Sequence, residues 1–184
     1  RVLVCHLGHV EFFWFSPMRK LRRYLRDNPR ANYAGDSVWS AVRERCMARL
    51  QARRARHWQH VIDSIREVLD HAGQKGVRLG FENRERLDEL PFDADFDELF
   101  AALPADAPVG YWHDAGHAAI KESLGVLDHE RHLAAHAERL LGWHLHDVDV
   151  ARHDHLPIGA GLTDFSRLRR FQKPEHLCVL ELSP

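Results

Sequence analysis

The sequence predicts an α/β protein in which a parallel sheet is covered by helices. Short apolar segments alternate five times with segments of helical periodicity, as expected for repeated βα units. The apolar segments lack strict two-residue alternation, which is typical of strands buried on both faces. The chain has 184 residues, of which 45% are hydrophobic and 29% charged, so it is long enough for one domain with its own core.

The N-terminal part predicts one strand and two helices. The strand covers Arg1–His6, and this apolar run lacks the h-region and cleavage site of a signal peptide. Because the chain begins without a methionine, we expect further sequence upstream. Ser16-Pro17 predicts the start of a short helix over Met18–Asp27. Asp36 or Ser37 then caps a long helix to about Ala72, whose apolar residues recur at three- and four-residue steps.

The rest of the chain continues the alternation. Strands are predicted at Val77–Glu82, Pro108–His113, Leu141–His146 and Leu177–Glu181. Helical segments are predicted at Asp93–Leu103, Ala118–Leu124, Asp128–Leu140 and Asp164–Phe171. No apolar run has the length needed to span a bilayer, so we expect no membrane partner.

The three cysteines predict a reducing environment. An odd number without a CxxC pair favours free thiols over a disulfide framework, and we therefore expect a cytoplasmic protein. Cys5 and Cys178 lie in apolar strand segments, where a buried thiol is expected.

Potential metal ligands follow every predicted strand. They are His6, Glu82, Asp114, either His144 or His146, and Glu181. The steps from Glu82 to Asp114, His144 and Glu181 are 32, 30 and 37 residues, each the length of one βα unit. In a (β/α) barrel the carboxyl ends of the strands surround one central point, where the active site lies. A lone carboxylate at a strand end is usually a helix cap or a surface ion pair, but recurrence at each strand end favours a shared site.

The densest group of such residues follows the fourth strand. Four histidines and three aspartates lie within twelve residues: His144, His146, Asp147, Asp149, His153, Asp154 and His155. Gly159 and Gly161 then predict a tight loop. A mixed set of carboxylates and imidazoles suits Mn²⁺, Mg²⁺, Co²⁺ or Zn²⁺, and the sequence does not choose among them. The alternative interpretation is a hydrophilic loop that is rich in histidine.

Six segments resemble the xylose isomerase-like TIM-barrel superfamily, which includes sugar phosphate isomerases/epimerases and the endonuclease IV type of AP endonuclease (AP endonuclease family 2). The segments are His6-Leu-Gly8, Glu82-Asn-Arg84, Asp114-Ala-Gly-His117, His144-Leu-His-Asp147, Asp154-His155 with Gly159-Ala-Gly161, and Glu181. The resemblance implies a partial (β/α)8 TIM barrel, from about the third strand to the seventh. A complete barrel has eight strands and about 250 residues, so we expect residues 1–184 to form a single domain that is incomplete at both ends.

The resemblance to the sugar branch implies a metal-dependent isomerase or epimerase acting on a sugar or sugar phosphate. Glu82, Asp114, His144 and Glu181 would hold the divalent metal, and Glu82 and Glu181 would be the catalytic acid/base pair. The remaining candidates, expected to bind substrate or an additional metal, are His6, His117, His146, His155 and Asp154.

The resemblance to the endonuclease branch implies a zinc-dependent AP endonuclease as the alternative, with nucleic acid as partner. His6, Glu82, Asp114, His117, His144, His155 and Glu181 match ligands of a three-zinc cluster there. That cluster also uses an aspartate two residues before His155, where this chain has His153. DNA would need a basic surface, which only the Arg19–Arg56 segment offers.

A third interpretation is a non-catalytic barrel remnant that acts only by association. The sequence leaves open whether the chain forms a homo-oligomer.

Overall fold

A computed structural model describes residues 1–12, 14, 16–30 and 32–183. Five parallel strands form one sheet in chain order, and each pairs with its neighbours in sequence. Together with the helices they form part of a (β/α) barrel, which confirms the predicted fold class. The strands are β1 Val2–Cys5, β2 Arg78–Glu82, β3 Val109–Asp114, β4 Leu140–Leu145 and β5 Leu177–Leu180.

Within the described residues, six α-helices lie in the connections between the strands. They are α1 Met18–Asp27, α2 Ser37–Gln74, α3 Phe96–Ala101, α4 Ala115–Ser123, α5 His129–His136 and α6 Phe165–Leu168. Short 3₁₀ turns, at Asp93–Asp95, Ala137–Arg139 and Arg169–Phe171, complete the predicted helical segments. Among the described residues, no helix combines the length and apolar character needed to cross a bilayer.

Two helix starts show how local chemistry sets the boundaries. Asp36 caps α2, and its side chain accepts hydrogen bonds from the backbone N–H groups of Val38 and Trp39. The helix after β3 begins three residues earlier than the sequence predicted, because the Asp114 side chain accepts a hydrogen bond from the His117 backbone N–H at 2.7 Å. The last residue of the strand is therefore also the cap of the next helix.

An ion pair anchors the long helix to the rest of the fold. Arg54 of α2 is buried, and its guanidinium lies 2.7 Å from both Asp95 and Glu98 at the start of α3. The same guanidinium lies 4.0 Å from the ring centroid of Trp58. Because the charge of Arg54 is paired and stacked, its burial is compatible with a stable core.

The inner face of the sheet is filled by one large ring. Trp112 of β3 is buried, and a Cβ atom at Gly142 of the neighbouring β4 would lie only 2.5 Å from its indole. The absence of a side chain at Gly142 therefore lets Trp112 lie across β4. The indole also makes an edge contact with His144, at 5.1 Å between ring centroids, and so forms the floor beneath the strand ends.

The edge strand β5 is more exposed than the central strands. All four residues of β5 are exposed, including Leu177 and Leu180, whereas β2 and β3 are mostly buried. The prediction of a buried thiol at Cys178 was therefore wrong, because Cys178 lies on this exposed strand. Cys5 is half-buried, and Cys46 on α2 is buried.

Four histidines pack in the layer between β3 and the helices: His113, His129 and His136 are buried, and His132 is half-buried. The Nε2 atoms of His113 and His129 lie 2.9 Å apart, and the Tyr111 hydroxyl lies 2.8 Å from His113 Nδ1. His132 and His136 pack on the Tyr111 ring, with centroid distances of 5.8 and 5.2 Å. Burial lowers the pKa of all four imidazoles, to about 4 for His129 and His132. The core around β3 therefore requires neutral histidines.

Acid should destabilise the fold through these imidazoles before the carboxylates titrate. In the unfolded chain the imidazoles of His129 and His132 bind protons near pH 6.5. In the folded chain burial lowers their pKa to about 4, so they remain neutral until the pH approaches that value. Their contribution to the free energy of unfolding is therefore present above pH 6.5 and is lost as the pH falls towards 4. At about 1.4 kcal/mol per pKa unit, the loss is roughly 3 kcal/mol for each. Urea unfolding at a series of pH values from 7.5 to 4 would measure it.

The variant His132→Phe provides the matched comparison. Phenylalanine keeps the aromatic contact with Tyr111 but cannot bind a proton. Its free energy of unfolding should fall less steeply between pH 6.5 and 4 than that of the parent chain. An unchanged slope would show that His132 is not a source of the acid sensitivity.

Candidate metal centre

Side chains from the ends of four neighbouring strands converge at the carboxyl edge of the sheet. Glu82, Asp114, His144 and Glu181 each place one N or O atom within 4.8 Å of those of the others. His144 lies at their centre: its Nδ1 is 2.7 Å from Glu82 Oε1, 3.0 Å from Glu181 Oε2 and 3.7 Å from Asp114 Oδ2. The pairing of Asp114 with His144 in the parallel register of β3 and β4 produces this convergence.

Burial and mutual contact set the charges of this group. Glu82 and Asp114 are at most 1% exposed. Burial alone would raise the pKa of Glu82, but the hydrogen bond from His144 lowers it below the usual value. For Asp114, too, burial opposes the charge, and the hydrogen bond from His146 lowers the pKa. Burial also opposes the charge on His144, whose pKa Glu82 nevertheless raises. The buried carboxylates are therefore ionised at neutral pH.

The chemistry of these donors fits a divalent cation. Three carboxylates and one imidazole give the mixed oxygen and nitrogen set that Mn²⁺, Mg²⁺, Co²⁺ and Zn²⁺ accept. Two of the carboxylates are buried and ionised, and a cation in their midst would compensate that charge. The four residues predicted as ligands from the sequence are thus close enough to share one ion.

Asn83 holds two residues of the site in place, although the sequence analysis assigned it no role. Its buried side chain accepts a hydrogen bond from the Asp114 N–H at 2.8 Å and donates one to the Asp114 carbonyl at 2.9 Å. Its own carbonyl lies 3.1 Å from His117 Nδ1. The Tyr111 hydroxyl, 3.0 Å away, completes the contacts of the amide. In the sequence, this role of Asn83 was indicated by its position directly after Glu82 at the end of a strand.

The first strand contributes a residue at the rim. His6 Nε2 lies 3.0 Å from Glu82 Oε2 and 2.8 Å from Arg84 Nη1, and the His6 side chain is 60% exposed. Arg84 also pairs with Glu82 and lies 3.4 Å from Glu89. The predicted site residue His6 therefore meets the other four through Glu82 and remains accessible to solvent.

The histidine-rich segment after β4 divides into inward and outward parts. His146 and His155 point inward, and their rings stack with centroids 4.3 Å apart and an angle of 7° between planes. His155 Nε2 lies 3.8 Å from Glu181 Oε1. By contrast, His153 pairs with Asp149 at the surface, at 2.9 Å. Asp149 and His153 therefore point outward and lie apart from the ligand groups.

Asp147 organises the loop that carries His155. Its buried carboxylate accepts four backbone hydrogen bonds, each 2.8 or 2.9 Å long, from Val148, Gly159, Gly161 and Thr163. Burial opposes the charge of Asp147, but these bonds lower its pKa. The carboxylate thus ties both ends of the loop together and serves the architecture of the site.

A second group lies beside the first. Glu85, His117 and Asp154 also bring ligand atoms within 4.8 Å of one another. Burial, together with the charge of Asp154, raises the pKa of Glu85. His117 and Asp154 were predicted from the sequence, whereas Glu85 was not, because it lies three residues past the strand end in the following loop.

Most of the chain matches a known protein family. Residues 31–174 match the family model of the xylose isomerase-like TIM barrel. The chain belongs to this family. A search of the curated proteins found no match.

A solved structure of the same superfamily supports the fold. The chain is similar to 3-keto-D-glucoside 4-epimerase from E. coli in its apo form, with a TM-score of 0.52 and 19% sequence identity. The similarity covers 70% of this chain and 48% of the epimerase, so the chain matches about half the length of that protein. At this identity the likeness shows the xylose isomerase-like fold and leaves the activity to be tested.

The variant Asp147→Asn should loosen the loop of this xylose isomerase-like chain. The amide nitrogen would face two backbone N–H donors, and hydrogen bonds to a charged group contribute about 1.5–3 kcal/mol each. We expect the free energy of unfolding, measured by urea denaturation at pH 7.5, to fall by about 2–4 kcal/mol. Glu175→Gln, at an exposed position of the same half, is the control and should change little. Equal stability of both variants would contradict the role of Asp147.

Proposed function

We propose that the chain is a divalent-metal-dependent isomerase or epimerase that acts on a sugar or sugar phosphate. The observation that carries the proposal is the placement of two glutamates around His144. Glu82 and Glu181 come from strands on either side of β3 and β4, and their carboxylates lie 2.7 and 3.0 Å from the same His144 nitrogen. Two carboxylates facing one point can exchange protons with two positions of one small substrate.

Glu82, Asp114, His144 and Glu181 would hold the metal. When bound there, a divalent cation polarises a carbonyl oxygen and makes the proton on the adjacent carbon more acidic. Asp114 and Glu82 are buried and supported by neighbours, so they would fix the position of the ion. Glu181 is 43% exposed and therefore open to a substrate that enters from solvent.

The proton steps are assigned to Glu82 and Glu181. One carboxylate removes the proton from the carbon next to the carbonyl, and the other returns a proton to the opposite face or to the neighbouring carbon. Return to the opposite face gives epimerisation, whereas return to the neighbouring carbon gives isomerisation. The two glutamates would need opposite protonation states at the start of a turnover.

Histidines around the glutamates would bind the sugar hydroxyl groups. His117 donates from Nδ1 to the Asn83 carbonyl, which leaves its Nε2 as an acceptor. His6 lies at the rim, and His155 lies beside Glu181, with Asp154 Oδ1 3.0 Å from its other ring nitrogen. Membership in the family and the likeness to a sugar epimerase support this choice of substrate class. The three free cysteines fit the cytoplasmic location that we also propose.

Replacing either glutamate by glutamine should abolish proton transfer. Glu82→Gln and Glu181→Gln keep the side-chain shape but remove the base, so turnover should fall at least about 100-fold. The measurement is deuterium incorporation from heavy water into a panel of ketoses and keto sugars, with circular dichroism to verify folding.

Glu138→Gln is the matched control, because Glu138 lies on the surface and is 93% exposed. It should exchange deuterium at the parental rate. Parental exchange in Glu181→Gln or in Glu82→Gln, with metal bound, would refute the acid/base assignment.

The second candidate function is a zinc-dependent AP endonuclease. The observation that favours it is the overlap of ligand groups: Asp114, His117 and Glu181 each belong to more than one group of three or four. Overlapping groups can hold several ions that share bridging carboxylates, as a multi-zinc centre requires. A groove of about 1250 Å³ offers basic surface for DNA, since its lining contains Arg22, Arg53, Arg56 and Arg86 beside the two acidic residues Glu11 and Asp88.

Metal content separates the two functions. We expect about one equivalent of Mn, Mg or Co per chain in protein purified without added metal, measured by elemental analysis. Two or three zinc equivalents, with cleavage of an abasic-site oligonucleotide, would instead support the endonuclease. If the folded chain takes up no metal even from excess, both functions are refuted and a non-catalytic role is favoured.

A further inference from the structure

His146 stands among the ligand groups but makes contacts of a different kind. It is fully buried behind Asp114, and each of its two ring nitrogens already has a partner within the chain. We infer that His146 is a positioning residue, which orients the Asp114 carboxylate and the backbone of His155 and does not itself bind metal. The inference rests on the proposed metal centre.

The hydrogen bonds determine where the ring carries its proton. The backbone N–H of His155 donates to His146 Nδ1 at 2.9 Å, so Nδ1 must be unprotonated. His146 Nε2 lies 3.0 and 3.1 Å from the two oxygens of Asp114, so Nε2 carries the proton and donates to both. With one nitrogen donating and the other accepting, the ring has no lone pair left for a metal ion.

This arrangement differs from that of a typical ligand histidine. A ligand histidine binds the metal through one nitrogen and donates from the other to a carboxylate or a carbonyl. His117 has such a donor contact, from Nδ1 to the Asn83 carbonyl. In His146 the second nitrogen instead accepts from a peptide N–H. The ring centroids of the two histidines are 5.8 Å apart, and the two rings thus differ in the hydrogen bonds that their nitrogens make.

Packing prevents the ring from turning towards the site. A Cβ atom at Gly116, in the first turn of α4, would lie 2.0 Å from His146 Cε1, so the ring occupies the space above this glycine. On its other side the ring stacks on His155. The imidazole is therefore held between a helix and a loop, as a support whose orientation the fold determines.

His146 positions two residues at once. The bifurcated hydrogen bond sets the plane of the Asp114 carboxylate, while Asn83 holds the peptide of the same residue. The bond to Nδ1 holds His155, whose φ of 58° lies in the left-handed region. Because a non-glycine residue in that region is strained, an external hydrogen bond helps to maintain it.

The test compares His146→Gln with His146→Leu. Glutamine can place an amide N–H near the position of Nε2 and donate to Asp114, but it is a poor ligand for transition metals. Leucine has similar bulk and cannot donate. Metal binding is measured as Co²⁺ stoichiometry and affinity, from visible absorption and calorimetry on metal-free protein.

We expect both variants to bind the same number of Co²⁺ ions as the parent chain. The affinity should fall about 10–100-fold in His146→Leu, the usual effect of losing a partner that orients a ligand, and recover most of that loss in His146→Gln. The surface variant His153→Gln should match the parent. Loss of one metal equivalent in both variants at position 146 would show that His146 is a ligand and overturn the inference.

The protonation of the ring provides a readout that needs neither metal nor activity. Long-range ¹H–¹⁵N NMR of the metal-free chain should show a protonated Nε2 and an unprotonated Nδ1 for His146. A proton on Nδ1 would overturn the inference even if His146→Leu fails to fold. If the parent chain binds no Co²⁺ while the NMR result is as expected, the proposed metal function fails but the role of His146 towards Asp114 and His155 stands.

Discussion

The parallel pairing of the strands is the constraint on which the site depends. In a parallel sheet every strand ends at the same edge, so a side chain at the end of one strand meets those of its neighbours. Here the register places Asp114 beside His144, and Glu82 lies one strand away beside Trp112. Asn83 extends the pairing of β2 with β3 by one step, because its side-chain amide bonds both backbone groups of Asp114. The candidate site is thus an extension of the hydrogen bonding of the sheet.

The fold uses histidine in two opposite ways on the two faces of the sheet. His113 points outward into a layer of aromatic rings, where burial keeps it and its neighbours neutral. At the inner end, His144 lies among carboxylates that favour its charged form. The Tyr111 hydroxyl and Asn83 connect the two environments through consecutive hydrogen bonds. Residue type alone does not distinguish a core histidine from a site histidine; the partner and the face of the strand do.

The buried carboxylates of the site require the hydrogen-bond donors that surround them. An unpaired buried carboxylate would be costly, and each of the buried ones has several donors. Asp114 accepts from His117 and His146, and Glu82 accepts from Arg84 and His144. Asp147 receives four peptide N–H groups. The site is therefore organised by hydrogen bonding within the chain.

The sequence by itself determined the alternation of strands and helices, the parallel sheet and the residues at the strand ends. These follow from local patterns, since apolar runs, caps and one βα unit between ligands are visible along the chain. Only the tertiary structure decided which members of the histidine-rich segment face the site. His146 and His155 turn inward while Asp149 and His153 turn outward, because the Asp147 carboxylate folds the loop through contacts up to sixteen residues away. Asn83 and Glu85 escaped prediction for the same reason: their partners, Asp114 and Asp154, are distant in sequence and adjacent only in space.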